Sequence, residues 1–216
     1  MAEVALEQAP RKAREHYEKG IASLERGNFD YAMDMFLLAL DLCPGLLRAR
    51  KYLRATALKK AKAQKSNAFS QFMITVSGAG GLIKVQSMLK NKPAQALREA
   101  ENLLRKDPLN TTFIQTSCQA ALAADMAEVA ILNLEVARDN GVKDIKSLEF
   151  LAQLYQDNGR MHDARDAYET LVRLKPNGPE MVRKLKDATA LDTVQRGKWE
   201  GATSYRDVMK DSKEAT

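Results

Sequence analysis

The chain has 216 residues, of which 45% are hydrophobic and 29% are charged, and its net charge is +6. These fractions exclude an intrinsically disordered chain, and only 11 Gly and 6 Pro are too few for a β-sandwich or barrel, so we expect helices. Two cysteines give no disulfide framework, and we expect both as small buried side chains in a reducing compartment.

Residues 1–10 are predicted to be an N-terminal tail. The tail lacks the basic and apolar regions of a secretory signal. The longest mainly apolar run, residues 69–83, is roughly fifteen residues long and contains Ser, Gln and Thr, so it is too short and too polar to span a bilayer. We therefore expect a cytoplasmic protein.

A 34-residue period organises most of the remaining chain. Each copy has a small residue followed four positions later by a second apolar one, a spacing that puts both on one face of a helix. Gly-Asn or Asn-Gly pairs supply the tight turns, and Pro ends the second helix of a copy. The period is marked by Ala96, Ala130 and Ala164 and by Pro108 and Pro176, and an earlier copy runs from Ala13 to Pro44.

This pattern resembles the tetratricopeptide repeat (TPR), and the layout is similar to that of uncharacterised bacterial TPR proteins. In that family each unit is a pair of antiparallel helices, with Ala where the two helices touch most closely. The resemblance implies an all-α fold: a right-handed α-solenoid of about four TPR units plus a C-terminal capping helix. Met181, Leu185 and Ala188 are expected to form the apolar face of that capping helix.

The period slips between Pro44 and Pro108, which are four residues closer than two periods. We expect the cluster Gly78-Ala79-Gly80-Gly81 in this region to break a helix or mark a hinge. The predicted organisation is a tail at 1–10, a first unit plus a basic helix at 11–65, a degenerate linker or short helix at 66–77, three units plus the capping helix at 78–196, and a tail at 197–216. Whether the chain is part of a longer protein is left open.

The charge is distributed unevenly, because residues 42–98 contain twelve Lys and Arg and no Asp or Glu. One interpretation is a solvated basic face that complements an acidic C-terminal half of the same chain or of a second copy. The other is a patch that binds an acidic peptide, an anionic membrane or nucleic acid. Nucleic acid is the weaker alternative, because only Tyr52 interleaves with the cations. The predicted patch comprises Arg48, Arg50, Lys51, Arg54, Lys59, Lys60, Lys62 and Lys65.

The first helices of stacked TPR units line a concave groove, which is where a partner is expected. Amide side chains in such a groove can donate and accept hydrogen bonds, as an extended peptide requires. The alternative is that these are ordinary exposed polar residues. The family's carboxylate clamp is not expected, because its positions hold Tyr17, Ile21, Gln115, Gln119 and Glu149. The predicted groove residues are Thr112, Gln115, Gln119, Lys146, Glu149, Gln153, Gln156 and Arg183.

No residue pattern points to catalysis, and we expect no enzyme activity, no cofactor and no metal site. His16 is expected to be at least half-buried and His162 solvated, and neither has a Cys or carboxylate at metal-ligand spacing. Cys118 occupies a small-residue position, so we interpret it as packing. The predicted function is a scaffold that binds a protein or peptide of unknown identity, with a homo-oligomer left open.

Overall fold

The computed structural model describes the backbone of residues 3–63, 68–142, 144–176 and 178–214, and the side chains of those ranges except 68–77 and 197–214. Every regular element in these ranges is helical. The chain divides into two compact units, Met1–Asp144 (unit 1) and Ile145–Thr216 (unit 2). No helix in the described ranges is long and apolar enough to cross a membrane.

Unit 1 begins with a short 3-10 turn, Leu6–Gln8, inside the predicted N-terminal tail, and its α-helices then follow at close intervals. They are α1 (Arg11–Glu25), α2 (Phe29–Leu42), α3 (Leu47–Ala63), α4 (Ala68–Met88), α5 (Pro93–Lys106), α6 (Thr111–Ala123) and α7 (Ala127–Asp139). Unit 2 consists of α8 (Ile145–Asp157), α9 (Met161–Leu174) and α10 (Pro179–Glu214).

The turns between paired helices use the residues that the sequence pattern indicates. Gly27 and Gly159 both have φ +75°, a left-handed conformation in which glycine carries no steric cost. The side chain of Asn28 caps α2 by accepting a hydrogen bond of 3.3 Å from the backbone N–H of Tyr31. Pro93 occupies the first turn of α5, where its missing N–H costs nothing.

The predicted helix-pair repeat is confirmed by the positions of its alanines. Ala32, Ala96, Ala130 and Ala164 are all fully buried, and they lie in the second helices of the pairs α1–α2, α4–α5, α6–α7 and α8–α9. Because a small residue lets two helix axes approach, the 34-residue period in the sequence is a period of close contacts. The protein is therefore TPR-like in its architecture.

The last helix, α10, packs against α9 and begins as the predicted capping helix. Met181 and Ala188 on its predicted apolar face are buried, and Leu185 is half-buried. The helix continues to Glu214, so the prediction that a tail starts at residue 197 is wrong for the backbone.

The glycine cluster does not break a helix, contrary to the prediction. The backbone of α4 is helical from Ala68 to Met88, so a domain boundary between 77 and 78 would fall inside it. A Cβ atom on Gly81 would lie 2.6 Å from Cδ2 of Leu103 in α5, and one on Gly78 would overlap the ring of Phe113 in α6. The glycines stand one turn apart because they allow α4 to approach α5 and α6.

The phase slip corresponds to one additional helix, α3. It packs against α2, as α10 packs against α9, but it also contacts α5 and α7, the second helices of the following two pairs. The helix pairs of unit 1 therefore do not follow one another without interruption. Residues 64–67, which join α3 to α4, lie outside the described residues.

Candidate interaction surfaces

The interface of α3 with α5 contains a buried ionic cluster. Nε of Arg50 lies 3.2 Å from one carboxylate oxygen of Glu101, and Nη2 of Arg54 lies 2.7 Å from the other. The three side chains are between 1% and 4% exposed. One carboxylate therefore serves two guanidinium groups, and these three residues together carry a net charge of +1.

Neutral polar groups extend this cluster into α6 and α7. Arg54 donates from Nη2 to Oδ1 of Asn133 at 2.9 Å, and Nδ2 of Asn133 donates to Oγ of Ser117 at 2.9 Å. Nη1 of Arg54 is buried and has no hydrogen-bond partner among the described residues. Burial lowers the pKa of Arg50, and the nearby Glu101 carboxylate opposes that shift.

Other Lys and Arg residues of the segment 42–98, which contains no Asp or Glu, pair with acidic residues of neighbouring helices. The Lys60 ammonium lies 2.6 Å from a carboxylate oxygen of Asp30, and its hydrogen bond is the main reason why the pKa of Asp30 is lowered. Pairs of 2.6 Å also join Lys84 to Glu99 and Arg98 to Asp41. These contacts support charge complementation within the chain, with partners on α2 and α5 rather than in its C-terminal half.

The predicted basic patch is consequently smaller than the sequence suggested. Arg50 and Arg54 are buried and Lys60 is paired, so these three residues are not free to contact an external anion. Lys65 lies outside the described residues. We call the remaining four the basic stripe, because they are exposed and their spacing puts them on one face of α3: Arg48, Lys51, Lys59 and Lys62.

Two members of the basic stripe have local partners. The guanidinium of Arg48 lies 6.0 Å from the ring centroid of Tyr17, which is the outer limit of a cation–π contact. Nζ of Lys62 donates to Oδ1 of Asn140, the residue that follows α7, at 3.2 Å. Because neither partner is a carboxylate, both contacts leave the positive charge of the stripe uncompensated.

The predicted groove residues of unit 1 lie on the exposed face of α6. Thr112, Gln115 and Gln119 are all exposed. Gln119 accepts a hydrogen bond of 3.1 Å from Gln86 of α4, and Gln115 donates to Asp144 at 3.4 Å. Two first helices, α4 and α6, therefore present polar side chains to the same surface.

Sequence reasoning missed three residues of this surface. Gln86 contacts Gln119 directly, and Ile83 lies one helical turn before Gln86 with 72% of its surface exposed. Leu122 follows Gln119 by one turn and is 38% exposed. Reading α4 as the first helix of a pair would have identified Ile83 and Gln86. We call these residues together with Gln119 the α4–α6 surface.

The predicted groove residues of unit 2 lie on α8 and α10. Lys146 and Arg183 are exposed, while Glu149, Gln153 and Gln156 are half-buried. The hydroxyl group of Tyr168 in α9 donates to Oε1 of Gln156 at 3.4 Å and to Oε1 of Gln153 at 3.5 Å. Since these amides help to join α8 to α9, they are less available to a partner than those of α6.

The two histidines and Cys118 were the residues considered for catalysis or metal binding, and the structure gives the surroundings of each. His16 is half-buried, and His162 is exposed and accepts a hydrogen bond of 2.9 Å at Nδ1 from Arg165. Cys118 is fully buried, and burial raises its pKa to about 12, so its thiol is protonated at neutral pH. Among the described residues, no group of three or more His, Cys, Asp or Glu could hold a metal ion.

Comparison with known proteins leaves the family open. No protein-family profile and no curated protein matches the chain. The chain is similar to solved structures, among them TTC0263 and the MamA protein. TTC0263, a thermophilic TPR protein of Thermus thermophilus, is 16% identical with a TM-score of 0.43, over 82% of this chain and 99% of that one. The MamA protein is 15% identical with a TM-score of 0.42, over 86% of this chain and 85% of that one. Both TM-scores are below 0.5, so the TPR-like assignment is based on the helix pairs of the chain itself.

Proposed function

We propose that the chain is a non-catalytic scaffold that binds an extended peptide segment of a protein partner on the α4–α6 surface. The observation that carries this proposal is the exposed amide pair Gln86–Gln119 beside the exposed side chains of Ile83 and Leu122. The amides can donate to and accept from a peptide backbone, while the two aliphatic groups provide apolar contacts.

The exposed apolar area supports this surface over the equivalent face of α8. An isoleucine side chain that becomes buried in a complex contributes about 1.5–3 kcal/mol to the binding free energy. A hydrogen bond to the peptide replaces one to water, so it contributes only about 1 kcal/mol. Ile83 is therefore expected to dominate the affinity, and Gln86 and Gln119 are expected to determine the register of the peptide.

A peptide selected from a phage-displayed library against the whole chain provides a probe for this proposal. We expect Ile83→Ser to weaken binding of the fluorescent peptide about tenfold, equivalent to about 1.4 kcal/mol, and Gln119→Glu to weaken it to a smaller extent. Gln8→Glu is the matched control, because Gln8 is an exposed glutamine in the 3-10 turn before α1. Peptides whose binding is unchanged by both Ile83→Ser and Gln119→Glu would contradict the proposal.

A second candidate function is association with an anionic membrane through the basic stripe. Four exposed cations on one face of a helix that contains no acid favour this alternative. Co-sedimentation with vesicles containing phosphatidylserine should then fall as salt rises, and should be reduced by Lys51→Glu with Lys59→Glu. The control is Lys12→Glu with Lys19→Glu on α1, which makes the same change of net charge. Equal loss in both double variants would indicate a general charge effect.

A further inference from the structure

A cleft of about 400 Å³ lies in unit 1, on the side of α5 that faces α2 and α3. It is bounded by the end of α2, the α2–α3 turn, the start of α5 and the α6–α7 turn. Its size is within the range of small-molecule sites. Its walls are mainly apolar and include Leu40, Pro44, Pro93, Leu97 and Met126.

The lining also includes two members of the buried ionic cluster, Arg50 and Glu101. Arg50 is 4% exposed and donates from Nε to Glu101 and from Nη1 to the carbonyl oxygen of Pro44. The hydrogen bonds that Arg50 makes to described residues use Nε and Nη1. The apolar cleft therefore adjoins a fixed guanidinium group that retains hydrogen-bonding capacity.

The charge of the buried cluster favours an anion at this position. Arg50, Arg54 and Glu101 carry a net charge of +1 in a region shielded from water, where an uncompensated charge is costly. Acids at the cleft do not supply the missing negative charge, because Asp41 is paired with Arg98 and Asp125 is exposed at the surface. A carboxylate on the ligand would neutralise the cluster and match the planar guanidinium group.

We propose that this cleft binds a small carboxylate with an apolar body, whose carboxylate contacts Arg50 and whose body contacts the cleft walls. The site is separate from the α4–α6 surface, and it does not depend on the scaffold function. A bound ligand would contact α2, α5 and the α6–α7 turn together, and would thereby stabilise the attachment of the first helix pair to the rest of unit 1.

The test compares four probes with the whole chain by isothermal titration calorimetry and NMR. Hexanoate has both required features, 1-hexanol lacks the charge, hexylamine reverses it, and acetate lacks the apolar body. We expect saturable millimolar or tighter binding of hexanoate, at least tenfold weaker binding of the other three, and shifts of resonances from the cleft residues. Absence of saturable hexanoate binding at 10 mM, on the order of the weakest specific affinities, would overturn the proposal.

A variant that blocks the cleft distinguishes this site from binding elsewhere. Ala94 is exposed at the start of α5 and lines the cleft, so Ala94→Trp should abolish hexanoate binding without altering the ionic cluster. The matched control is Ala22→Trp at an exposed position of α1, which should bind as the natural chain does. Unchanged binding by Ala94→Trp, equal binding of 1-hexanol, or tighter binding of a peptide with a free C-terminal leucine would each refute a small-carboxylate site.

Discussion

The carboxylate of Glu101 compensates two buried guanidinium groups, and its removal provides a sharp test of how α3 is held. Glu101→Gln preserves the shape of the side chain but removes the negative charge between Arg50 and Arg54. Breaking a buried ion pair from one side costs about 3–5 kcal/mol, because it leaves an uncompensated buried charge. A domain of this size is stable by about 5–15 kcal/mol, so this loss is a large fraction of the total.

Glu99→Gln is the matched control two residues earlier in α5. Glu99 pairs with Lys84 at 2.6 Å, but its side chain is 27% exposed and that of Lys84 is 51% exposed. Because surface pairs contribute about 0–1 kcal/mol, we expect Glu99→Gln to change the free energy of unfolding only slightly.

Urea unfolding followed by circular dichroism measures both changes, and amide hydrogen exchange localises them. We expect Glu101→Gln to lower the unfolding midpoint and to increase exchange in α3, with a much smaller change in α8 and α9. A second substitution, Arg50→Met in the Glu101→Gln background, should recover part of the stability by removing one unpaired charge. If Glu101→Gln costs no more than Glu99→Gln, the buried cluster is not what holds α3 against α5.

Three further properties follow from particular residues. Gly80→Ala should stabilise α4 by up to about 1 kcal/mol, because among the described residues no atom outside the adjacent backbone of α4 lies within 4 Å of the added Cβ. Gly81→Ala should destabilise the protein by about 1–3 kcal/mol through overlap with the buried side chain of Leu103, and urea midpoints compare the two variants. The hydrogen bond from Lys60 lowers the pKa of Asp30 in the folded state. The Asp30–Lys60 pair therefore stabilises the fold fully above the unfolded-state pKa of the Asp30 carboxyl group. This stabilisation is lost as pH falls through the lower pKa of the folded state. Unfolding measured between pH 5 and pH 2, roughly the range that carboxylates titrate in, should show a smaller acid-induced loss for Lys60→Met than for the natural chain. Cys118, whose pKa is raised to about 12 by burial, should not react with a thiol reagent at pH 8 until urea unfolds the chain.

The repeat could be predicted from sequence because its signal is local. Positions 96, 130 and 164 lie where two helices pack closely, so each position requires a small side chain. The requirement recurs at a fixed spacing because the helix pairs repeat, and all three positions hold alanine. The glycine cluster was misinterpreted for the opposite reason. Gly78 and Gly81 have no signal of their own that distinguishes a hinge from close packing, and the distinction depends on Phe113 and Leu103, which lie far away in sequence.

The burial of Arg50 and Arg54 could not be predicted from the sequence either. Both look like the exposed Lys51 and Lys59, because the acid that compensates them follows forty-seven or more residues later. Only the packing of α3 against α5 brings these charges together. Counting the Lys and Arg residues along α3 suggests a single basic surface. In the fold, Arg50 and Arg54 lie on the buried face of α3 and Lys51 and Lys59 on its exposed face.

This separation gives the two faces of α3 different consequences for function. On the inner face, the charges of Arg50 and Arg54 exceed that of Glu101, and the excess lies beside the apolar cleft where we propose that a small carboxylate binds. On the outer face, the basic stripe is hydrated and screened by salt, so it can act only on a large or highly charged surface. Binding to the inner site should therefore depend weakly on ionic strength, and binding to the outer stripe should depend on it strongly. A salt series consequently assigns an observed anion to one face of the helix before any residue is changed.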